Sequence, residues 1–120
     1  MALRVAVLDG RLHDRAAFSC GIVALDDYLR TRASQHARDG IATTHVLTDD
    51  AAPASILGYC TLSAAQLLLH ELAEADRARL PTHPVPAMRM GRLAVAAAAQ
   101  GQGHGQLLLG HAVNLALSVH

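Results

Sequence analysis

The chain has 120 residues and not one lysine; its ten basic residues are all arginine and are balanced by ten acidic ones, for a formal net charge of zero. That balance excludes a global positive field of the kind that draws nucleic acid, so any phosphate contact has to come from a local grouping of arginines. Cysteine is scarce too. Cys20 and Cys60 are too few and too far apart for a disulfide framework or a zinc knuckle, and both are expected to be buried, inert thiols. Hydrophobic residues make up 52% of the chain, yet no run is long enough for the ~18 unbroken apolar residues of a membrane span. Met1-Ala2-Leu3-Arg4 also lacks a secretory h-region and cleavage site. The expectation is a cytoplasmic protein with no membrane partner. Eight histidines are present, but no two stand three or four apart on a helix with a carboxylate to complete a set, so spacing gives no metal site. His104 and His111 could share one helix face and are expected as an exposed or phosphate-adjacent pair.

What is there reads as one domain over residues 1–120, enough to bury about two thirds of its unfolded surface. Residues 3–8 read as a first strand and Asp9-Gly10 as a turn. Ile22, Leu25, Leu29 and Ala33 fall at helical spacing, with Asp26 and Asp27 in the first turns and Gly40 as a stop. Residues 43–47 are β-branched enough for a strand, 49–53 read as a turn, and 55–63 as a long strand in which Gly58 signals close packing or a bulge. Residues 64–80 are ambiguous between continued sheet at Leu67-Leu68-Leu69 and a short helix over 71–79, which is the favoured choice. Pro81, Pro84 and Pro86 form an extended approach to a strand over 87–95.

The most informative segment follows that strand. Gln100-Gly101-Gln102-Gly103-His104-Gly105 lies between the apolar Leu93-Ala94-Val95 and a helix over 106–118, the order strand, turn, helix. Glycines at 101, 103 and 105 let backbone approach a ligand closely, and a helix that opens there aims unpaired N–H groups and its positive dipole end at an anion such as a pyrophosphate. The spacing is not that of a P-loop, since no Gly-Lys-Ser/Thr follows, and Gln106 breaks the dinucleotide fingerprint. Glycine-rich turns before helices are common, and a turn that binds nothing is the alternative on the residues alone. Composition and periodicity by themselves support an α/β domain with an anion-binding turn.

The Q-x-x-G-x-G spacing resembles the acetyl-CoA signature of the GCN5-related N-acetyltransferases. Phe18-Ser19-Cys20-Gly21, Leu25-Asp26-Asp27-Tyr28-Leu29, Leu57-Gly58-Tyr59-Cys60-Thr61-Leu62-Ser63, Pro84-Val85-Pro86 and Gly91-Arg92-Leu93-Ala94-Val95 occur in the order seen in one branch, the toxins of toxin–antitoxin pairs that acetylate aminoacyl-tRNA. The resemblance covers residues 7–117. It implies an α/β (α+β) fold with a twisted, mainly antiparallel sheet flanked by helices, acetyl-CoA as cosubstrate and no metal. It also implies an aminoacyl-tRNA substrate, a ribbon-helix-helix antitoxin as partner and a possible homodimer. Two departures stand out: Ala96 holds a place where relatives commonly have aspartate, and the chain stops at His120, where relatives continue through further strands that carry a tyrosine acid. Tyr28 and Tyr59 do not match that tyrosine, so the chain looks like an N-terminal two thirds.

By the same resemblance Leu93, Ala94 and Val95 pair with the pantetheine arm, and the backbone at Val95 serves the thioester oxygen as the catalytic contact. Gln100, Gly101, Gln102, Gly103, His104, Gly105 and Gln106 hold the coenzyme's pyrophosphate. The α-amino group of an aminoacyl ester, with a pKa of ~7.7 or lower, needs no strong base. Arginine forks suit tRNA phosphates, and Arg30, Arg32, Arg38, Arg77, Arg79, Arg89 and Arg92 are the candidates, against a solvated helix face for the first three. Arg92 sits beside the proposed thioester, where an idle charge is costly, so it is expected to pair with an acid or face substrate. The alternatives are a small-molecule or peptide N-acetyltransferase, and a non-catalytic remnant that binds coenzyme or antitoxin.

Overall fold

The computed structural model describes residues 2–67 and 85–118. Four strands, β1 (Leu3–Val7), β2 (Thr43–Asp49), β3 (Gly58–Leu67) and β4 (Val85–Val95), form one antiparallel sheet in the order β1-β2-β3-β4. Helices α1 (Val23–Thr31) and α2 (Ala33–Arg38) connect β1 to β2, and α3 (His104–Ser118) follows β4. The expected mixed architecture of a mainly antiparallel sheet flanked by helices is the one observed.

Each face of the sheet buries its own cluster, because strand side chains alternate between faces. Phe18, Tyr28, Leu29, Val46, Tyr59 and Ala94 pack together under α1 and α2. On the other face Leu47, Cys60 and Leu62 pack with Leu108 and Ala112 of α3, and Met88 and Met90 border them. Both cysteines are buried free thiols. Burial pushes the Cys60 thiol up to about 11 and raises that of Cys20 as well, so neither is a ready nucleophile.

The elements differ from the sequence expectation in several places. The single helix expected from residue 22 is two, broken at Arg32, whose φ of −122° and ψ of −26° leave the helical region. Of the expected stripe Leu25, Leu29 and Ala33 pack on one core, while Ile22, just before α1, is exposed. Strand β3 starts at Gly58 and runs on to Leu67, so the ambiguity at Leu67 resolves as sheet. Pro86 lies within β4, at the outer edge where a missing N–H costs no ladder bond. The helix expected over 71–79 lies outside the described residues.

Gly58 is where the two halves of the molecule close on each other. A Cβ built there would sit 2.9 Å from the Ala94 carbonyl oxygen and 3.1 Å from Leu108 Cδ1, so only glycine lets β4 and α3 approach this closely. This is the close packing the sequence suggested. The bulge lies elsewhere, on β4. Thr61 faces Arg92 but Leu62 faces Met90, so Gly91 is an extra residue with no partner. The inserted residue reverses the alternation, and Met90 turns toward α3 while Arg92 turns toward α1.

Candidate coenzyme-binding turn and the Arg92 face

Strand β4 carries the backbone of the candidate site. The Ala96 N–H donates to the Leu57 carbonyl at 2.8 Å, and this fixes the alternation of the ladder back to the bulge. Ala94, opposite Tyr59, exchanges its backbone bonds with β3, whereas Leu93 and Val95 turn their N–H and C=O groups toward the outer edge. Among the described residues no strand pairs with that edge. The sequence expectation for Leu93, Ala94 and Val95 therefore needs one correction: the Ala94 amide and carbonyl are engaged inside the sheet, and only its two neighbours present backbone outward. The Val95 carbonyl is in turn taken by the Gln100 side chain at 3.0 Å, which leaves its N–H.

Gln100 opens the turn. Its Nε2 donates to both the Val95 carbonyl and the Cys20 carbonyl, the latter at 3.1 Å, so its carboxamide nitrogen faces inward as a clamp and does not reach toward a ligand. Gly101 and Gly103 follow with φ of +83° and +81°, a left-handed backbone that side chains disfavour by ~1–2 kcal/mol. The helix begins at His104, two residues earlier than expected. Gly105 is thus helical and makes no turn; a Cβ there would only touch Val95 Cγ2 at 3.8 Å.

The first amide of this segment with a backbone acceptor outside regular helix is that of Leu107, which donates to the Gly103 carbonyl at 3.1 Å. Among the described residues the N–H groups from Gly101 to Gln106 have no such acceptor, and Gln102 and Gln106 are exposed beside them. Six adjacent backbone donors at the positive end of a 15-residue helix are the donor set a diphosphate needs.

His104 and His111, expected as an exposed or phosphate-adjacent pair, do not pair with each other, and His104 is not exposed. His104 is 3% exposed, its Nδ1 has no partner among the described residues, and it lines a cleft of about 590 Å³ with Leu57, Ala96 and Gln102. Only its backbone N–H belongs to the turn. His111 meets His45 of β2, Nε2 to Nδ1 at 3.2 Å. The contact joins α3 to the sheet, and burial followed by the neighbouring His111 charge lowers the His45 pKa from its ordinary value.

The opposite face holds the candidate substrate side chains. The single phenylalanine and both tyrosines of the chain meet there: Phe18 stands edge-on to Tyr59 at 5.5 Å and Tyr28 stacks on Tyr59 at 6.5 Å. The Tyr59 hydroxyl donates to the Leu25 carbonyl at 2.6 Å, and burial raises its pKa. The Arg92 guanidinium lies over the Tyr28 ring, 3.6 Å from its centroid, and makes no ion pair among the described residues. Of the two expectations for Arg92, pairing with an acid is not seen among the described residues.

The other arginines are scattered. Arg30 is paired to Asp27 at 2.6 Å, Arg32 sits at the break between α1 and α2, Arg38 ends α2, and Arg89 is exposed on β4. Arg77 and Arg79 lie outside the described residues. Sequence reasoning missed Tyr28, His36 and His45. Tyr28 and His36, eight positions apart, come together only because the helix breaks at Arg32 and turns back on itself.

A meander sheet whose β4 edge is unpaired among the described residues, followed by a glycine turn and a helix whose first amides have no backbone acceptor there, is the arrangement that the resemblance to the GCN5-related N-acetyltransferases implies. No protein-family model matches the chain. The chain is 33% identical over 100 residues to the tRNA-acetylating toxin of Mycobacterium tuberculosis, covering 83% of this chain and 58% of that protein. It superposes on AtaT complexed with acetyl-methionyl-tRNAfMet with a TM-score of 0.85 and 28% identity, covering 98% of this chain and 70% of AtaT. A tyrosine-to-phenylalanine mutant of AtaT, bound to the C-terminus of the antitoxin AtaR and to acetyl-CoA, gives a TM-score of 0.79 at 28% identity and covers 99% and 68%. The chain shares the fold of these proteins, which include a tRNA-acetylating toxin and a toxin bound to its antitoxin. It spans less than three fifths of the length of the curated relatives it matches.

Proposed function

We propose that this chain is the coenzyme-binding core of an acetyl-CoA-dependent N-acetyltransferase that acts on the amino group of aminoacyl-tRNA, as the toxin of a cytoplasmic toxin–antitoxin pair. The observation that carries this reading is the run of unpaired amides from Gly101 to Gln106 at the open end of β4. Those donors suit the coenzyme diphosphate. The outward backbone of Leu93 and Val95 suits the pantetheine amides, and the Val95 N–H is the donor for the thioester oxygen as negative charge grows on it. Gln102, Gln106 and the His104 amide complete the cradle.

The attacking group is the neutral α-amine. Since its pKa of ~7.7 or lower leaves much of it unprotonated at neutral pH, attack on the thioester carbonyl needs no protein base. The tyrosines of this chain are engaged elsewhere: Tyr59 with Leu25 and Tyr28 with His36. A ribbon-helix-helix antitoxin is the protein partner we assign, and a homodimer the assembly; both come from the likeness to toxins of this kind. Arg30, Arg32, Arg38, Arg77, Arg79 and Arg89 are candidate tRNA contacts beside Arg92.

The test is acetyl transfer from labelled acetyl-CoA to charged tRNA, run beside a peptide amine and a free amino acid. Acetylated aminoacyl-tRNA as the preferred product is the expected result. Transfer to the small amines alone would replace the substrate assignment, and absence of calorimetric heat with acetyl-CoA would end the acetyltransferase reading of this chain.

A further inference from the structure

Arg92 is a cation held in place by something other than a carboxylate. Its guanidinium lies 3.6 Å above the Tyr28 ring centroid, while its own strand neighbours at the bulge, Gly91 and Leu93, are exposed. Tyr28 is itself fixed: buried, stacked on Tyr59, and hydrogen-bonded through its hydroxyl to His36 Nδ1 at 3.0 Å. An aromatic face satisfies the plane of a guanidinium but none of its five N–H donors, which point outward in that plane. The positive charge is oriented and left without a counter-ion among the described residues. The acids on the adjacent helix do not reach it, since Asp26 accepts from the Cys20 N–H at 3.0 Å and Asp27 pairs with Arg30 at 2.6 Å.

On the aminoacyl-tRNA reading, the amine enters on an amino acid whose carboxyl group is esterified and carries no charge. The anion nearest that amine is then the 3′-terminal phosphodiester of the RNA. We propose that Arg92 is the anchor for this phosphodiester, and that Tyr28 and His36 are positioning residues that hold the guanidinium plane. Arginine is required in this arrangement because lysine presents a point charge with no plane to stack and no fork to grip two phosphate oxygens. The reversal of alternation at Gly91 places the anchor on this face, next to the outward backbone of Leu93, so that coenzyme and RNA end meet across β4.

The experiment measures binding of the 120-residue chain to a tRNA bearing a 3′-amide-linked amino acid, as a function of salt, with acetyl-CoA calorimetry on every variant. Arg92→Gln is expected to weaken RNA binding about tenfold and to lower the slope of log K against log salt by about one, the signature of one lost phosphate contact. Arg92→Lys should keep the slope and still lose about fivefold. Tyr28→Phe, which keeps the stack but releases His36, should lose about two- to threefold at unchanged slope, and His36→Ala should match it without adding to it. Coenzyme binding should hold throughout, which also shows that each variant is folded. If Arg92→Gln leaves affinity and slope as in the parent while coenzyme still binds, or if Arg92→Lys equals the parent, the anchor is overturned. Absence of coenzyme binding in the parent would instead strike the acetyltransferase reading.

Discussion

On the α1 and α2 face of the sheet Phe18, Tyr28 and Tyr59 meet in defined ring geometries and both tyrosine hydroxyls are bonded; on the α3 face the contacts are aliphatic and small, Leu47, Cys60, Leu62, Leu108 and Ala112. One polar contact, His45 to His111, ties α3 to a strand among the described residues. Directional contacts hold side chains in one orientation, while aliphatic packing fixes distance more than angle. The division matches the roles proposed for the two faces. On that reading the aromatic face aims Arg92, and on the other α3 holds its first amides at the end of β4.

The sharpest way to break the contrast is Tyr59→Ala. It removes the ring on which both other aromatics rest, together with the hydroxyl's hydrogen bond to the Leu25 carbonyl, so unfolding free energy should fall by about 3–5 kcal/mol in a denaturant titration. A loss under 1 kcal/mol would mean the aromatic face is not the rigid one. Next comes Gly58→Ala, where the added methyl meets the Ala94 carbonyl oxygen at 2.9 Å and Leu108 at 3.1 Å; a cost of about 1–3 kcal/mol is expected, read the same way.

Gly103→Ala should cost about 1–2 kcal/mol, because its φ is +81°. It should weaken acetyl-CoA binding while leaving near-UV dichroism from the tyrosines unchanged, since the turn and the aromatic cluster are separate. The smallest effect concerns His45. Its folded pKa is lowered from the ordinary 6.5, first by burial and then by His111, so the unfolded chain takes up the proton more readily. Stability is therefore level above about 6.5 and declines as pH falls from there toward the lower folded value. His45→Gln should flatten that decline, and an unchanged pH profile would show that the histidine contact carries no linkage.

Much of this arrangement is legible in the sequence because it is local. The turn glycines announce the left-handed backbone at Gly101 and Gly103, and the β-branched residues in 43–47 give β2. What stays hidden depends on contacts between distant segments. Nothing near Gly91 reveals that its strand gains a residue against β3, yet that insertion decides which face Arg92 occupies. The helix break at Arg32 is equally silent, since helical spacing continues through it, and Tyr28 meets His36 only because of it. His104 looked exposed because a polar residue at a helix start usually is; the cleft beside Leu57 takes it in.

The Gln100 side chain donates hydrogen bonds both to the segment before α1 and to the end of β4. A loop braced from beneath in this way is preorganised, with its conformational entropy already lost before coenzyme arrives. Truncating that carboxamide would leave every ligand-facing amide in the chain and still loosen the grip, because the donors would have to be gathered anew at each encounter.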